Sequence, residues 1–233
     1  MYLFAHLFSA ILIGIVLCQF RNDRWIFPVC IAGALFSDLL DKPLSLLMPD
    51  VFGSTRTIGH TLIVALLLMI AACILWQRYG TILGMVFAGM VLLHQVLDML
   101  WTVPVTWFFP LYGIFEKTPA AGGFMQFFLI EATSPSEWVF ALASCVFIVS
   151  CYPVIRKDQA SHSGRIPAPV QYGLAALLGI TGISLVITGI GLLSGPVPAL
   201  HYEPDKTLMA GLVAIGGAIT LCLIPVQKWP VLR

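Results

Sequence analysis

Seven apolar runs dominate the chain, at about residues 2–19, 25–41, 59–77, 80–101, 137–155, 170–194 and 207–226. Most approach the roughly 20 residues that a helix needs to cross the hydrocarbon of a bilayer. Lipid offers the backbone no hydrogen-bond partners, so a run of this kind spans as a helix, which satisfies its own peptide groups. The expected fold class is all-α, a polytopic membrane helical bundle of about seven transmembrane helices. Composition agrees: 59% of the residues are hydrophobic and 10% are charged, whereas soluble domains carry about a quarter charged residues. The formal net charge is +1 with no basic block, so membrane lipid and no nucleic acid is the expected partner. The first run has no basic segment before it and no small-residue cleavage site, and it reads as a retained helix rather than a cleaved signal. The six cysteines fall in apolar runs without a CxxC pair and read as small apolar residues.

Local signals divide the chain further. "QRYG" at 77–80 marks a tight turn between the third and fourth helices. Proline disfavours helical backbone at the residue before it, so Pro43 is expected to stop the second helix at Lys42. Residues 102–136 form a long interfacial segment. Its "TVPVTWFFPLYGIF" is too rich in proline for a regular helix, and Trp101, Trp107, Phe108, Phe109 and Tyr112 suit a membrane interface. "GGFMQFFLIE" reads as a short helix lying in or near that interface. The polar stretch "RKDQASHSGRIPAP" separates a five-helix membrane domain, 1–155, from a Gly-rich two-helix scaffold, 156–233. Small residues let helices approach closely in lipid, so that pair is expected to serve as scaffold or as a homo-oligomer face. Loop Lys and Arg divide eight to four between the two sides. By the positive-inside rule the carboxyl terminus is cytoplasmic and the amino terminus outside.

Ionisable residues inside spanning helices are costly, and they point to function. His6 lies in the first run, Asp38 and Asp41 end the second, His60 opens the third behind Arg56, and the fourth carries His94 and Asp98. Asp38 and Asp41 are spaced i,i+3. His94 and Asp98 are spaced i,i+4, as are Arg56 and His60 if the helix starts early, so each pair shares a helix face. With alternating helix directions all of these residues arrive at one depth on one side of the membrane, the extracytoplasmic side by the charge rule. Three histidines and three carboxylates at one level suit a divalent cation, and the mixed N/O set favours Zn²⁺ over calcium. His6, Asp38, Asp41, His60, His94 and Asp98 are the candidate ligands. Arg56 and Lys42 are candidates to hold an anionic group, and Glu131 is a candidate general base or ligand, or a helix cap. GxSxG, HExxH and P-loop motifs are absent from the sequence.

"FSDLLDKPLSLL", "GSTRTIGHTLIVALLL" and "HQVLDMLW…FPLYG" together resemble the inner-membrane, metal-dependent hydrolases of bacteria and archaea. The resemblance covers roughly residues 1–115, with His6, Asp38, Asp41, Arg56, His60, His94 and Asp98 on its pattern. The motif order of that family is similar to that of zinc phospholipase C and related nucleases, which implies phosphoester chemistry. The expected function is a membrane-embedded hydrolase acting on an ester or phosphoester of an amphiphilic, lipid-like substrate that enters past the aromatic segment. The alternative is a metal-ion or proton transporter, since intramembrane His and Asp serve there too. Such sites lie closer to the midplane and on repeated halves, and no internal repeat is evident here. A third reading is a non-catalytic membrane protein whose polar cluster only stabilises packing.

Overall fold

The computed structural model describes residues 3–21, 23, 25–115, 129, 133–156, 168–194 and 204–223. All regular structure among them is helical. The seven long helices are α1 Leu3–Phe20, α2 Ile26–Leu47, α3 Leu62–Tyr79, α4 Leu83–Leu97, α5 Pro135–Arg156, α6 Ala168–Ser194 and α7 Pro204–Leu223. Each corresponds to one of the seven apolar runs. Three of them, α3, α6 and α7, are long and apolar enough to cross a membrane, and shorter apolar stretches lie in α1, α4 and α5. Around α3 burial is inverted relative to a soluble domain. Ile63, Leu66, Leu67, Ile70 and Ile74 of α3 are exposed, while Asp41, His60 and Gln95 are fully buried. That is the arrangement lipid demands, with apolar side chains outward and polar groups turned into protein. Glu131 and most of "GGFMQFFLIE" lie outside the described residues.

The chain gathers into two compact units, one of Met1–Phe27 with Pro135–Arg233 and one of Pro28–Ser134. In the first unit α1 packs on α5 through Phe8, whose ring lies 5.6 Å from Phe140 and 5.7 Å from Phe147. The backbone N–H of Phe4, in the first turn of α1, donates to Glu137 Oε2 at 2.8 Å, which satisfies one of the four donors a helix start leaves open. The glycines of α6 and α7 bring those helices together. A Cβ at Gly182 would lie 2.8 Å from the Gly211 carbonyl oxygen, and one at Gly211 would lie 2.9 Å from that of Gly182. Gln171 Nε2 adds a 2.5 Å bond to the Leu221 carbonyl across the same pair.

The second unit is built on α2, α3 and α4. A Cβ at Gly33 would meet the Phe87 carbonyl oxygen at 2.6 Å, so α2 and α4 touch backbone to backbone there. Gly84 of α4 sits against Ala72 of α3 in the same way. Gly80 ends α3 in the left-handed conformation, φ +68°, with its N–H on the Trp76 carbonyl, the ordinary role of glycine after a helix. This is the turn read from "QRYG". Two expected boundaries are corrected. Helix α2 continues through Pro43 to Leu47. Proline removes one N–H bond, and here the i,i+4 ion pair between Asp38 and Lys42, 3.1 Å apart, braces the turn that approaches it. The backbone around Arg56 is not helical: Ile58–His60 is a single 3-10 turn, and α3 starts only at Leu62. Arg56 and His60 therefore do not share a helix face.

Candidate metal centre

The turn that carries His60 is held by a carboxylate in addition to its own 3-10 bonds, His60 N–H to the Thr57 carbonyl at 3.2 Å and Thr61 N–H to the Ile58 carbonyl at 3.1 Å. Asp41 Oδ2 accepts from the N–H of Thr57 at 2.6 Å, and Asp41 Oδ1 accepts from the N–H of Gly59 at 2.8 Å. Oδ2 also meets His60 Nδ1 at 2.7 Å. Ser37 Oγ donates to the Gly59 carbonyl at 2.8 Å. The segment therefore gives two of its backbone donors, those of Thr57 and Gly59, to α2. This favours glycine at 59, because a Cβ there would stand 3.0 Å from the Ser37 carbonyl oxygen and 3.1 Å from Asp41 Oδ1, closer than most side chains approach.

These contacts fix the protons on the histidines. Nδ1 of His60 faces a carboxylate oxygen and Nδ1 of His94 faces the Ala34 carbonyl at 2.7 Å. Both partners accept only, so each Nδ1 carries a hydrogen and, in the neutral rings, each Nε2 presents a lone pair. The two Nε2 atoms face each other at 3.3 Å. Asp38 Oδ1 lies 3.6 Å from Nε2 of His60 and 4.0 Å from Nε2 of His94, beyond hydrogen-bonding reach. Three lone-pair atoms thus converge on one space. His60, His94 and Asp38 are 0%, 1% and 9% exposed, so these atoms meet largely away from bulk water.

This is the donor set a divalent cation takes. The point equidistant from three atoms separated by 3.3, 3.6 and 4.0 Å lies about 2.1 Å from each, the length of zinc–imidazole and zinc–carboxylate bonds. Each ring also has an acceptor on its other nitrogen, the arrangement that orients imidazoles on metals.

The remaining candidates fall at different distances from this space. Asp98 closes α4, with its N–H on the His94 carbonyl. Its carboxylate and the His94 ring present ligand atoms within 4.8 Å of each other. Asp98 Oδ2 pairs with Arg56 Nη2 at 3.0 Å. Lys42 pairs with Asp38 Oδ2 at 3.1 Å, and Oδ1 is the oxygen that lies 3.6 Å from His60 Nε2. His6 is buried on α1 in the first unit. Sequence reading did not single out Ser37, Gly59, Gln95 or the Ala34 carbonyl. Gln95 was legible as an amide beside His94 in an apolar run. A backbone carbonyl carries no sequence signal at all.

Apolar helices around a buried cluster of His and Asp, of a kind that could hold a metal ion, define a helical membrane protein with a polar centre. The chain belongs to the YdjM inner membrane protein family, whose model matches residues 1–160. That match contains all of α1 to α5 and the whole of the cluster, and it is consistent with the resemblance seen in the sequence. No curated protein and no solved structure matches the chain.

Proposed function

We propose that the protein is a membrane-embedded, metal-dependent hydrolase acting on an ester or phosphoester of an amphiphilic, lipid-like substrate. The observation that carries this reading is the convergence of three buried ligand atoms, with the Nε2 atoms of His60 and His94 3.3 Å apart and Asp38 Oδ1 3.6 and 4.0 Å from them. Asp38, His60 and His94 would hold the ion, with Zn²⁺ the best match to two imidazoles and one carboxylate. Three protein ligands leave a position open, the pattern of catalytic rather than structural sites. When bound, such an ion polarises a substrate oxygen and acidifies a coordinated water.

The chain's own residues supply the rest. Asp41 sets the His60 tautomer and ring plane. Arg56 spends one nitrogen on Asp98, and its side chain is 23% exposed, which leaves other N–H donors of its planar fork for an anionic headgroup. Asp98, paired with Arg56 and near the His94 ring, would take a proton from an attacking water. Lys42 neutralises Asp38. The apolar chain of the substrate would lie along the aromatic segment 101–115, where Leu111, Tyr112 and Ile114 are exposed.

The experiment is elemental analysis of untagged protein in detergent, followed by hydrolysis assays on a panel of phospholipids and lipid phosphates. Stoichiometric zinc that is lost in His94→Ala, with turnover of at least one panel member, supports the reading. Absence of stoichiometric metal refutes the metal centre. Metal without turnover of any panel member refutes the hydrolase and leaves the transport reading in its place.

A further inference from the structure

Gln95 follows His94 at the end of α4, so their side chains diverge by about 100° around the helix. His94 faces the ring of His60, and Gln95 grips the backbone on both sides of it. Its Nε2 donates to the carbonyls of Gly59 at 3.3 Å and Thr61 at 3.0 Å. Its Oε1 accepts from the indole Nε1 of Trp107 at 3.0 Å. Carbonyls only accept and an indole only donates, so the orientation of this fully buried amide is determined. Turning it over would break all three bonds and set oxygen against oxygen and N–H against N–H.

Trp107 ends the one-turn helix Pro104–Trp107. Its ring belongs to a chain of aromatic contacts, 6.5 Å from Trp101 and 5.1 Å from Phe108, with Phe108 5.7 Å from Tyr112. One hydrogen bond therefore joins the exposed aromatic segment to the residue that clamps the His60 turn. An interfacial anchor needs no such bond, since indole N–H groups at a membrane surface find water or headgroups.

We propose that Gln95 is a positioning residue for His60, and that the Trp107–Gln95 hydrogen bond couples the aromatic segment to the metal-holding side chains. The proposal rests on the reading of Asp38, His60 and His94 as that set. Apolar chains bearing on the segment would act on the site through this link, which makes Trp107 a determinant of which amphiphile is accepted.

The test uses the full chain in detergent with zinc alone, its affinity measured by competition with a chromophoric chelator. Trp107→Phe keeps a ring and removes the N–H, while Gln95→Met keeps length and apolar volume. Each is expected to weaken zinc about tenfold, the lower end for a supporting residue. The double variant is expected to bind no more weakly than Gln95→Met, because both cut one link. With tryptophans labelled at the indole nitrogen, the signal missing from Trp107→Phe should shift when zinc is added to the parent and stay still in Gln95→Met. Unchanged zinc affinity in Trp107→Phe, additive losses, or an indole signal blind to zinc in the parent overturns the coupling.

Should Gln95→Met fail to fold, Gln95→Glu replaces it. That variant keeps an acceptor for the indole but sets a carboxylate oxygen against the two carbonyls. It should hold the indole signal and lose zinc affinity, and parental zinc affinity in it overturns the positioning role. A parent that takes up no zinc overturns this proposal and the metal reading together. Parental affinity in Trp107→Phe overturns the coupling alone.

Discussion

Replacing Asp41 by asparagine isolates what its carboxylate does. Three N–H groups, from Thr57, Gly59 and the His60 ring, fall on its two oxygens. Asparagine offers one oxygen and an NH₂ of nearly the same shape, so in either orientation a donor meets a donor. With NH₂ in the place of Oδ2, the imidazole can be satisfied only by shifting its proton from Nδ1 to Nε2. The new N–H then points into the space shared with His94 Nε2 and Asp38 Oδ1, and His60 ceases to offer a lone pair there. With NH₂ in the place of Oδ1, the Gly59 N–H loses its acceptor, and the turn has little room to move because Gly59 lies against Ser37. Supporting residues of this kind are worth about 10- to 100-fold in metal affinity, or about 1.4–2.7 kcal/mol. A buried donor left without an acceptor costs a further ~1–3 kcal/mol of stability. The assay is chelator competition for zinc on Asp41→Asn and parent, with nitrogen-15 spectra of the histidines to report the tautomer and circular dichroism to confirm the helices. Zinc affinity within about twofold of the parent, with Nδ1 of His60 still protonated, would refute the tautomer argument.

Three further outcomes are expected, two from the same geometry and the third from the division of loop Lys and Arg. Gly59→Ala places a methyl 3.0 Å from the Ser37 carbonyl oxygen and 3.1 Å from Asp41 Oδ1, so it should destabilise the protein by about 1–3 kcal/mol and weaken zinc, whereas an unshifted thermal midpoint in detergent would show that the turn yields freely. Arg56→Lys keeps the charge opposite Asp98 and loses the planar fork. It should retain zinc and lose about 10- to 150-fold in kcat/KM on an anionic lipid, and stripped metal would instead make Arg56 a structural partner of Asp98. For sidedness, in a background without the native cysteines, Ser54→Cys should react with an impermeant thiol reagent on intact cells and Ser161→Cys should not. The reverse pattern would invert the topology.

The sequence by itself determined the seven helices, because a bilayer leaves an apolar run one way to satisfy its peptide groups. It also singled out Asp38, Asp41, His60, His94 and Asp98, since charge inside such runs is costly, and all five are buried. The coming together of Asp38, Asp41, His60, His94 and Asp98 in one unit was legible from helix alternation, because the rise per residue converts position into depth. What each of them does there was decided by tertiary structure. Asp38 and Asp41 are three residues apart on one helix, yet one faces the Nε2 side of His60 and the other its Nδ1 side. Nothing in their spacing distinguishes them. The His94 tautomer depends on a carbonyl of Ala34 that is chemically identical to every other carbonyl in the chain and is selected only because Gly33 lets α2 and α4 touch. The path of α2 through Pro43 and the non-helical turn before α3 were likewise settled by ion pairs and side-chain acceptors from residues distant along the chain or one turn away. Local propensity is a matter of a few kcal/mol at most, and a buried carboxylate with three donors outweighs it.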